Sequence, residues 1–204
     1  MGTVIAARPA LLRRARLLEI FTIAWNSLEG IIAIGLGLLA GSIALVGFGI
    51  DSVIETSSGV ILLWRLQGGR NAEQDDAAER RALRLVGASL LTLGVYVAGD
   101  AALSLARRDA PDASLAGIVL AAVSLLVMPL LARAKYRLAG QLDSEALRAD
   151  GTQTIICAYL SAMLLAGLAL NAQFGWWWAD PVAALGMVPI IVREGLEAWR
   201  GEHD

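Results

Sequence analysis

The chain has 204 residues, of which 57% are hydrophobic and 18% charged, and its formal net charge is −2. This composition is too apolar for an ordinary soluble domain and is typical of a helical membrane protein. The net negative charge gives no electrostatic basis for binding nucleic acid. The single cysteine, Cys157, excludes an intrachain disulfide, and the single histidine, His203, excludes the usual histidine-based zinc cluster. We find no nucleophile–base pair and no nucleotide-binding motif, so we do not expect an enzyme.

Six apolar segments follow one another along the chain, each long enough to cross a bilayer as a helix. They cover residues 18–39, 42–64, 83–105, 115–131, 146–170 and 177–199. We therefore predict an all-α membrane protein with six transmembrane helices, forming a single domain over residues 1–204. Residues 1–17 are predicted to be a cytoplasmic lead-in and not a cleaved signal, and residues 65–82 a charged cytoplasmic loop.

The basic residues lie mainly before the first segment, between the second and third, between the fourth and fifth, and at the end of the sixth. They are Arg8, Arg13, Arg14, Arg16, Arg65, Arg70, Arg80, Arg81, Arg84, Arg133, Lys135, Arg137, Arg148, Arg193 and Arg200. The opposite side has only Arg107 and Arg108. The positive-inside rule then predicts that both termini are cytoplasmic. The preference for Arg over Lys, with abundant Ala and Leu, indicates a GC-rich bacterium and hence its inner membrane.

Two acids stand near the middle of the second segment, in the sequence Asp51-Ser-Val-Ile-Glu55. Residues four apart share one face of a helix, about 5–6 Å apart at Cβ. An ionised acid at the centre of a bilayer costs roughly 2.5–3.5 kcal/mol on insertion scales. Two such acids side by side repel each other unless a proton or a cation lies between them. The pair therefore predicts a cation site within the membrane.

The fifth segment offers a second pair, Gln153 and Cys157, which also share one helix face. The second and fifth segments are antiparallel, and equal depths pair Asp51 with Cys157 and Glu55 with Gln153. Two carboxylates, a thiolate and an amide oxygen suit a divalent transition metal, and the sulfur favours zinc. A buried cysteine that only packs is the alternative interpretation of Cys157.

Several further polar residues fall within the predicted helices. Asn26 and Glu29 lie in the cytoplasmic half of the first segment, where Glu29 is either a second layer around the ion, a proton stop, or a helix-packing hydrogen bond. Asp100 is predicted to be an acid on the release path, and Asp150 either an entry acid or a salt-bridge partner of Arg148. Asp180 precedes Pro181, a spacing that predicts a cap on the sixth helix.

The chain resembles the transmembrane part of the cation diffusion facilitator family. Three stretches carry the resemblance: residues 44–55 around Asp51 and Glu55, residues 144–153 ending in Gln153, and residues 178–181 around Asp180. In that family an acid pair on the second helix and a His-x-x-x-Asp pair on the fifth form a tetrahedral transport site. The resemblance implies transport-site roles for Asp51 and Glu55, while Gln153 and Cys157 replace the usual His and Asp. It also implies proton antiport and a homodimer. We expect a short form without the family's cytoplasmic C-terminal domain, similar to the vesicular transmembrane zinc transporters.

These observations together predict an exporter of a divalent cation, Zn²⁺ before Mn²⁺, Fe²⁺, Co²⁺ or Cd²⁺. Export is expected to proceed by alternating access, with H⁺ as the counter-ion and no resident cofactor. Two alternatives stay open at this point. One is a proton-driven exporter of organic cations, and the other is a membrane metal sensor or scaffold that does not transport.

Overall fold

The computed structural model describes residues 2–66, 72–108, 112 and 114–200, and it contains six helices. They are α1 (Gly2–Ala40), α2 (Ile43–Leu66), α3 (Ala72–Arg107), α4 (Leu115–Leu142), α5 (Glu145–Phe174) and α6 (Ala179–Arg200). The described residues contain no β-strand. Five helices include a stretch long and apolar enough to cross a membrane, and α6 is the more polar exception. The prediction of an all-α membrane protein is thus confirmed.

Three helices, α1, α3 and α4, extend well beyond the apolar segments that predicted them. The predicted lead-in is helical, since α1 begins at Gly2. Helix α3 begins at Ala72, inside the predicted charged loop, of which residues 67–71 lie outside the described residues. Helix α4 continues past residue 131 to Leu142. Hydropathy marks where a helix would leave the lipid, whereas the helix itself ends only where a cap or turn residue interrupts it.

The end of α4 shows such an interruption. Asp143 adopts the left-handed conformation, with φ of 52°, and its N–H donates to the carbonyl of Ala139. The next residue, Ser144, caps α5 by accepting a hydrogen bond at its Oγ from the N–H of Leu147. These two residues reverse the direction of the chain, so that α5 follows α4 directly.

The helices pack as three principal pairs, α1 with α2, α4 with α5, and α3 with α6. Helix α2 also contacts α3, α5 and α6, so it is the most enclosed element of the bundle. The buried core includes Phe48, Met128 and Leu164, whereas large apolar side chains such as Ile31 and Leu39 are exposed. Such an exposed apolar surface suits a protein whose outer solvent is lipid.

Glycine permits α1 and α2 to approach backbone to backbone. A Cβ added to Gly49 would lie 2.8 Å from the main-chain nitrogen of Ile34, and one added to Gly30 would lie 3.0 Å from the carbonyl oxygen of Gly49. Only glycine fits at such distances, as is common where membrane helices cross closely. Gly41, with φ of 66°, provides the turn between these two helices.

Asp180 caps α2 and not α6, which corrects the sequence-based prediction. Its Oδ2 accepts hydrogen bonds from the N–H groups of Ile43 (3.1 Å) and Ala44 (3.4 Å), and its Oδ1 accepts one from the hydroxyl of Ser42 at 2.5 Å. Helix α6 already begins at Ala179, so Asp180 lies in its first turn. A buried carboxylate at the positive end of a neighbouring helix satisfies donors that would otherwise be orphaned.

The two ends of the bundle differ in composition. One end, called here the arginine-rich end, holds the start of α1, the end of α2 and the α4–α5 turn, and it carries the exposed Arg13, Arg133 and Arg137. The opposite end carries Trp176 and Trp178, whose rings stack with centroids 5.0 Å apart. Aromatic side chains at this level are typical of a membrane–water interface.

Candidate cation site

The two acids of α2 point into the bundle and not toward lipid. Asp51 is 5% exposed and Glu55 is 2% exposed. They are the ninth and thirteenth residues of a 24-residue helix, so Glu55 lies about 18 Å along it, near the middle of the membrane. A buried ionised acid at this depth is expensive unless something balances its charge. The partners that surround the pair therefore decide what it can do.

Two side chains of α5, those of Thr154 and Cys157, interact with the Glu55 carboxyl. The hydroxyl of Thr154, on α5, donates to its Oε1 at 3.0 Å. Its Oε2 is buried and has no hydrogen-bond partner among the described residues. A carboxylate oxygen accepts hydrogen bonds and binds cations, so this oxygen is available as a ligand.

A third carboxylate comes from α1. Glu29 is 1% exposed, and its Oε2 accepts a hydrogen bond from the hydroxyl of Ser52 at 3.2 Å. Its Oε1 is buried and has no hydrogen bond in the described part of the chain, while Ser124 and Trp25 also interact with this carboxyl. Glu29 also interacts electrostatically with Glu55 and Asp51. Glu29 therefore both packs α1 against α2, through its hydrogen bond with Ser52, and lies beside the acid pair.

The thiol of Cys157 faces the acid pair from α5. Cys157 is 1% exposed and interacts with Glu55, and at longer range with Glu29 and Asp51. Gln153 is half-buried one turn earlier on the same helix. The hydrogen bond to Glu55 comes from Thr154, the next residue, which lies about 100° further around the helix than Gln153.

Glu194 on α6 was missed by the sequence analysis. Its Oε1 is buried without a hydrogen-bond partner among the described residues, and its carboxyl interacts electrostatically with Asp51 and Glu55. The neighbouring Arg193 turns outward instead, where its Nε donates to Glu197 at 2.7 Å. The signal in the sequence was a second acid pair three positions apart, Glu194 and Glu197. Only Glu197, four positions after Arg193, can share the exposed helix face with that arginine.

The carboxyls of Glu29, Asp51, Glu55 and Glu194 thus surround one region from three helices, with Cys157 on a fourth. In this conformation no three His, Cys, Asp or Glu side chains of the described residues come close enough to enclose a metal ion. The set Asp51, Glu55, Gln153 and Cys157 accordingly stays a prediction as a ligand set. What the geometry provides is an enclosed, acid-rich region with three buried carboxylate oxygens that have no hydrogen bond within the described part of the chain.

Asn26 and Asp100, two of the residues predicted to lie along the ion path, differ in how they relate to this region. Asn26 is fully buried on the same face of α1 as Glu29, and neither atom of its amide has a hydrogen-bond partner among the residues described. Asp100, on α3, is half-buried and interacts with Tyr96, one helical turn before it. Asn26 therefore lies one turn before Glu29 on α1, while Asp100 has a local partner in Tyr96.

Asp150 pairs with Lys135, which the sequence analysis counted among the basic residues between the fourth and fifth segments. Lys135 is fully buried on α4, and its Nζ lies 2.5 Å from Oδ2 of Asp150 and 3.6 Å from Oε1 of Glu19 on α1. Helix α4 runs on to Leu142 and turns Lys135 toward the same buried face as Met128, Ala132 and Ala139, so Lys135 is not an exposed charge. Glu19, also fully buried, was missed as well.

Comparison with known proteins gives two findings. The model of the cation efflux transmembrane domain matches residues 20–200. The chain is also similar to the uncharacterized transporter sll1263 of Synechocystis sp., with 25% identity over 176 residues, which cover 83% of this chain and 55% of that protein. The chain therefore spans about half the length of the curated relative that it matches.

Proposed function

Because the chain belongs to the cation efflux family, we propose that it exports a divalent transition-metal cation, with Zn²⁺ as the principal ion. It is an integral, multi-pass membrane protein, and its family is one of transporters and not of enzymes. We place it in the inner membrane of a bacterium. The transported ion is cargo, so no resident cofactor is needed.

One observation carries this proposal. The acids Asp51 and Glu55 are almost fully enclosed at mid-membrane depth, and Oε2 of Glu55 has no hydrogen bond among the described residues. Buried oxygens of this kind are rare in proteins and call for an explanation. A doubly charged ion explains them, because it supplies the charge that the acids lack and takes oxygen ligands in place of its hydration shell.

The remaining donors favour a borderline-soft ion over Mg²⁺ or Ca²⁺. Cys157 adds a sulfur beside Glu55, and thiolate ligands select transition metals such as zinc. Glu29 already adds a carboxylate beside the pair from α1, and Glu194 adds one from α6, so a small movement of α6 relative to α2 brings a further oxygen to the ion. We propose that such movement completes the site when the metal arrives.

We further propose that protons are the counter-ion. Carboxylates and a thiol must lose their protons to bind a metal, so proton and metal compete for the same groups. A carrier that opens the site first at the arginine-rich end and then at the tryptophan end exports the metal, and protonation then balances the empty acids during the return. An opposing proton gradient should therefore drive metal movement.

Transport in proteoliposomes tests the proposal. Wild-type protein should accumulate Zn²⁺ when a pH gradient is imposed, and dissipating the gradient with a protonophore should stop accumulation. Asp51→Asn should abolish uptake, because it removes one of the two charges that replace the hydration shell. Glu197→Gln is the matched control, since it removes an acid that is paired with exposed Arg193 on the surface of α6.

Zn²⁺ uptake by Asp51→Asn at the wild-type rate would contradict the proposed function. Uptake of an organic cation such as tetraphenylphosphonium, in place of any divalent metal, would favour the organic-cation exporter instead. Metal binding without any uptake would favour the sensor.

A further inference from the structure

A buried lysine joins three helices beside the acid-rich region. The Nζ of Lys135, on α4, is 2.5 Å from Asp150 on α5 and 3.6 Å from Glu19 on α1. Both Lys135 and Glu19 are fully buried, and Asp150 is 7% exposed. Helix α2 borders this cluster at Gly59, where an added Cβ would be in ordinary contact with Oε2 of Glu19, at 3.6 Å. The cluster thus occupies the space between four helices.

Lys135 also reaches Glu55 through a single hydroxyl. Its Nζ donates to Oγ1 of Thr154 at 3.0 Å, and Thr154 Oγ1 lies 3.0 Å from Oε1 of Glu55. A hydroxyl has only one proton to give. Because the ammonium occupies the acceptor side of the Thr154 oxygen, the hydroxyl proton must point to Glu55 or, alternatively, to the carbonyl of Asp150 at 3.1 Å. An ionised carboxylate is the stronger acceptor of the two.

The cluster lies between the acid pair and the arginine-rich end of the bundle. On α5, Asp150 comes seven residues before Cys157, or about 10 Å nearer that end. On α1, Glu19 comes ten residues before Glu29, or about 15 Å nearer the same end. Any route from the arginine-rich end to the acids between α1, α4 and α5 therefore meets Lys135 first.

Ion pairs that are buried so completely add little stability on balance, because desolvation offsets their attraction. Breaking one by removing a single partner is nevertheless strongly unfavourable. We propose that Lys135 is a positioning residue that aims the Glu55 carboxyl through Thr154 and, by binding Glu19 and Asp150, closes the bundle on the arginine-rich side of the acids. This role rests on the cation transport proposed above.

The only cysteine of the chain reports on this closure, since Cys157 faces Glu55 and is 1% exposed. Alkylation by a membrane-impermeant maleimide is measured in vesicles of each orientation, without metal. Wild-type Cys157 should react slowly from both sides. Lys135→Met should raise the rate at least about tenfold from the arginine-rich side alone, because the two acids then lose the cation that holds three helices together.

Arg133→Met is the matched control, because it removes an exposed positive charge two residues earlier on the same helix and should leave the rate unchanged. Size-exclusion chromatography establishes that each variant is folded. If Lys135→Met does not fold, the triple variant Lys135→Met, Glu19→Gln, Asp150→Asn takes its place, since it leaves no unpaired buried charge in the cluster. It should also react faster from the arginine-rich side.

Thr154 separates the aiming of Glu55 from the closure. Thr154→Val keeps the shape of the side chain but removes the hydroxyl, so it should raise the Zn²⁺ concentration that protects Cys157 from alkylation by about tenfold. Thr154→Ser restores the hydroxyl and should restore protection. A protection curve for Thr154→Val that coincides with the wild-type curve would overturn the aiming role.

An unchanged alkylation rate in folded Lys135→Met, and in the triple variant, would overturn the closing role. Zn²⁺ that fails to protect wild-type Cys157 and is not transported would instead overturn the transport function. The metal-free alkylation rates are independent of that outcome, so the two failures are distinguishable.

Discussion

Apart from Asp180, the buried acids among the described residues fall into two regions that balance their charge in different ways. At the Lys135 cluster, Glu19 and Asp150 share a resident ammonium. At the α2 pair, Glu55 receives one hydroxyl proton, and oxygens of Glu29, Glu55 and Glu194 have no hydrogen bond among the described residues. Both regions lie within the same bundle, and Thr154 connects them.

This contrast teaches that burial alone does not identify a transport site. A fixed cation makes a set of acids part of the scaffold, because the charge they need is built into the chain. Glu55 interacts with Lys135 across Thr154, but Glu19 and Asp150 already share that ammonium, so the acids around Asp51 and Glu55 still need a mobile cation. The comparison predicts that removing a charge has opposite consequences in the two regions.

The largest effect is expected from breaking the resident ion pair. Lys135→Met leaves Glu19 and Asp150 buried without their cation, and it should lower the free energy of unfolding by about 3–5 kcal/mol. The triple variant Lys135→Met, Glu19→Gln, Asp150→Asn should recover most of that loss. Urea unfolding in detergent micelles measures both. A single variant as stable as the triple one would remove the distinction between the two regions.

At the α2 pair, removing a charge should cost function and not stability. Glu55→Gln relieves like-charge repulsion, so the free energy of unfolding should stay level or rise. The same change should weaken Zn²⁺ binding more than about 100-fold, because it removes a charged ligand. Isothermal titration calorimetry, with unfolding of the same preparation, checks the two together. A strongly destabilised Glu55→Gln would make this acid structural.

Glu194 tests how far the acid-rich region extends. Glu194→Gln should weaken Zn²⁺ binding by about tenfold, since Glu194 contributes charge at longer range than Glu55. Glu197→Gln, one turn further along α6, should change it less than about twofold, because exposed ion pairs contribute little. Equal effects of the two variants would exclude Glu194 from the site.

Asp180 illustrates a third way of balancing a buried acid, with peptide N–H groups in place of a cation. Asp180→Asn keeps one acceptor oxygen for Ile43 and Ala44 but loses the negative charge at the start of α2. It should lower the free energy of unfolding by about 1 kcal/mol and leave Zn²⁺ affinity unchanged. Altered Zn²⁺ affinity would mean that this end of α2 also takes part in the site.

The fold was largely predictable from the sequence. Six long apolar segments leave few options in a membrane, where every backbone group must be satisfied within a helix. The resemblance to the cation efflux family, drawn from residues 44–55, 144–153 and 178–181, is confirmed by the match over residues 20–200. The helix ends were less predictable, because they depend on residues such as Asp143 and Ser144 and not on hydropathy.

The site was predictable only in part, for reasons of geometry between helices. Asp51 and Glu55 stand out because they interrupt an apolar segment, whereas Lys135 has the appearance of a charge at the membrane surface. Matching residues by depth cannot choose between Gln153 and Thr154, because neighbouring residues differ by about 100° around the helix. The sequence likewise could not show that Asp180 caps α2, because Asp180 meets the start of α2 only in the folded bundle.

The glycine contacts between α1 and α2 restrict how the protein can change shape. With Gly49 against the backbone of Ile34, and with only Gly41 and Ser42 between the two helices, neither helix can slide along the other without collision. Glu29, Asp51 and Glu55 therefore travel together as one rigid block. Any rocking motion that opens the acid-rich region must occur where this block meets the α4–α5 and α3–α6 pairs. Lys135 interacts with the block from α4, and Glu194 from α6.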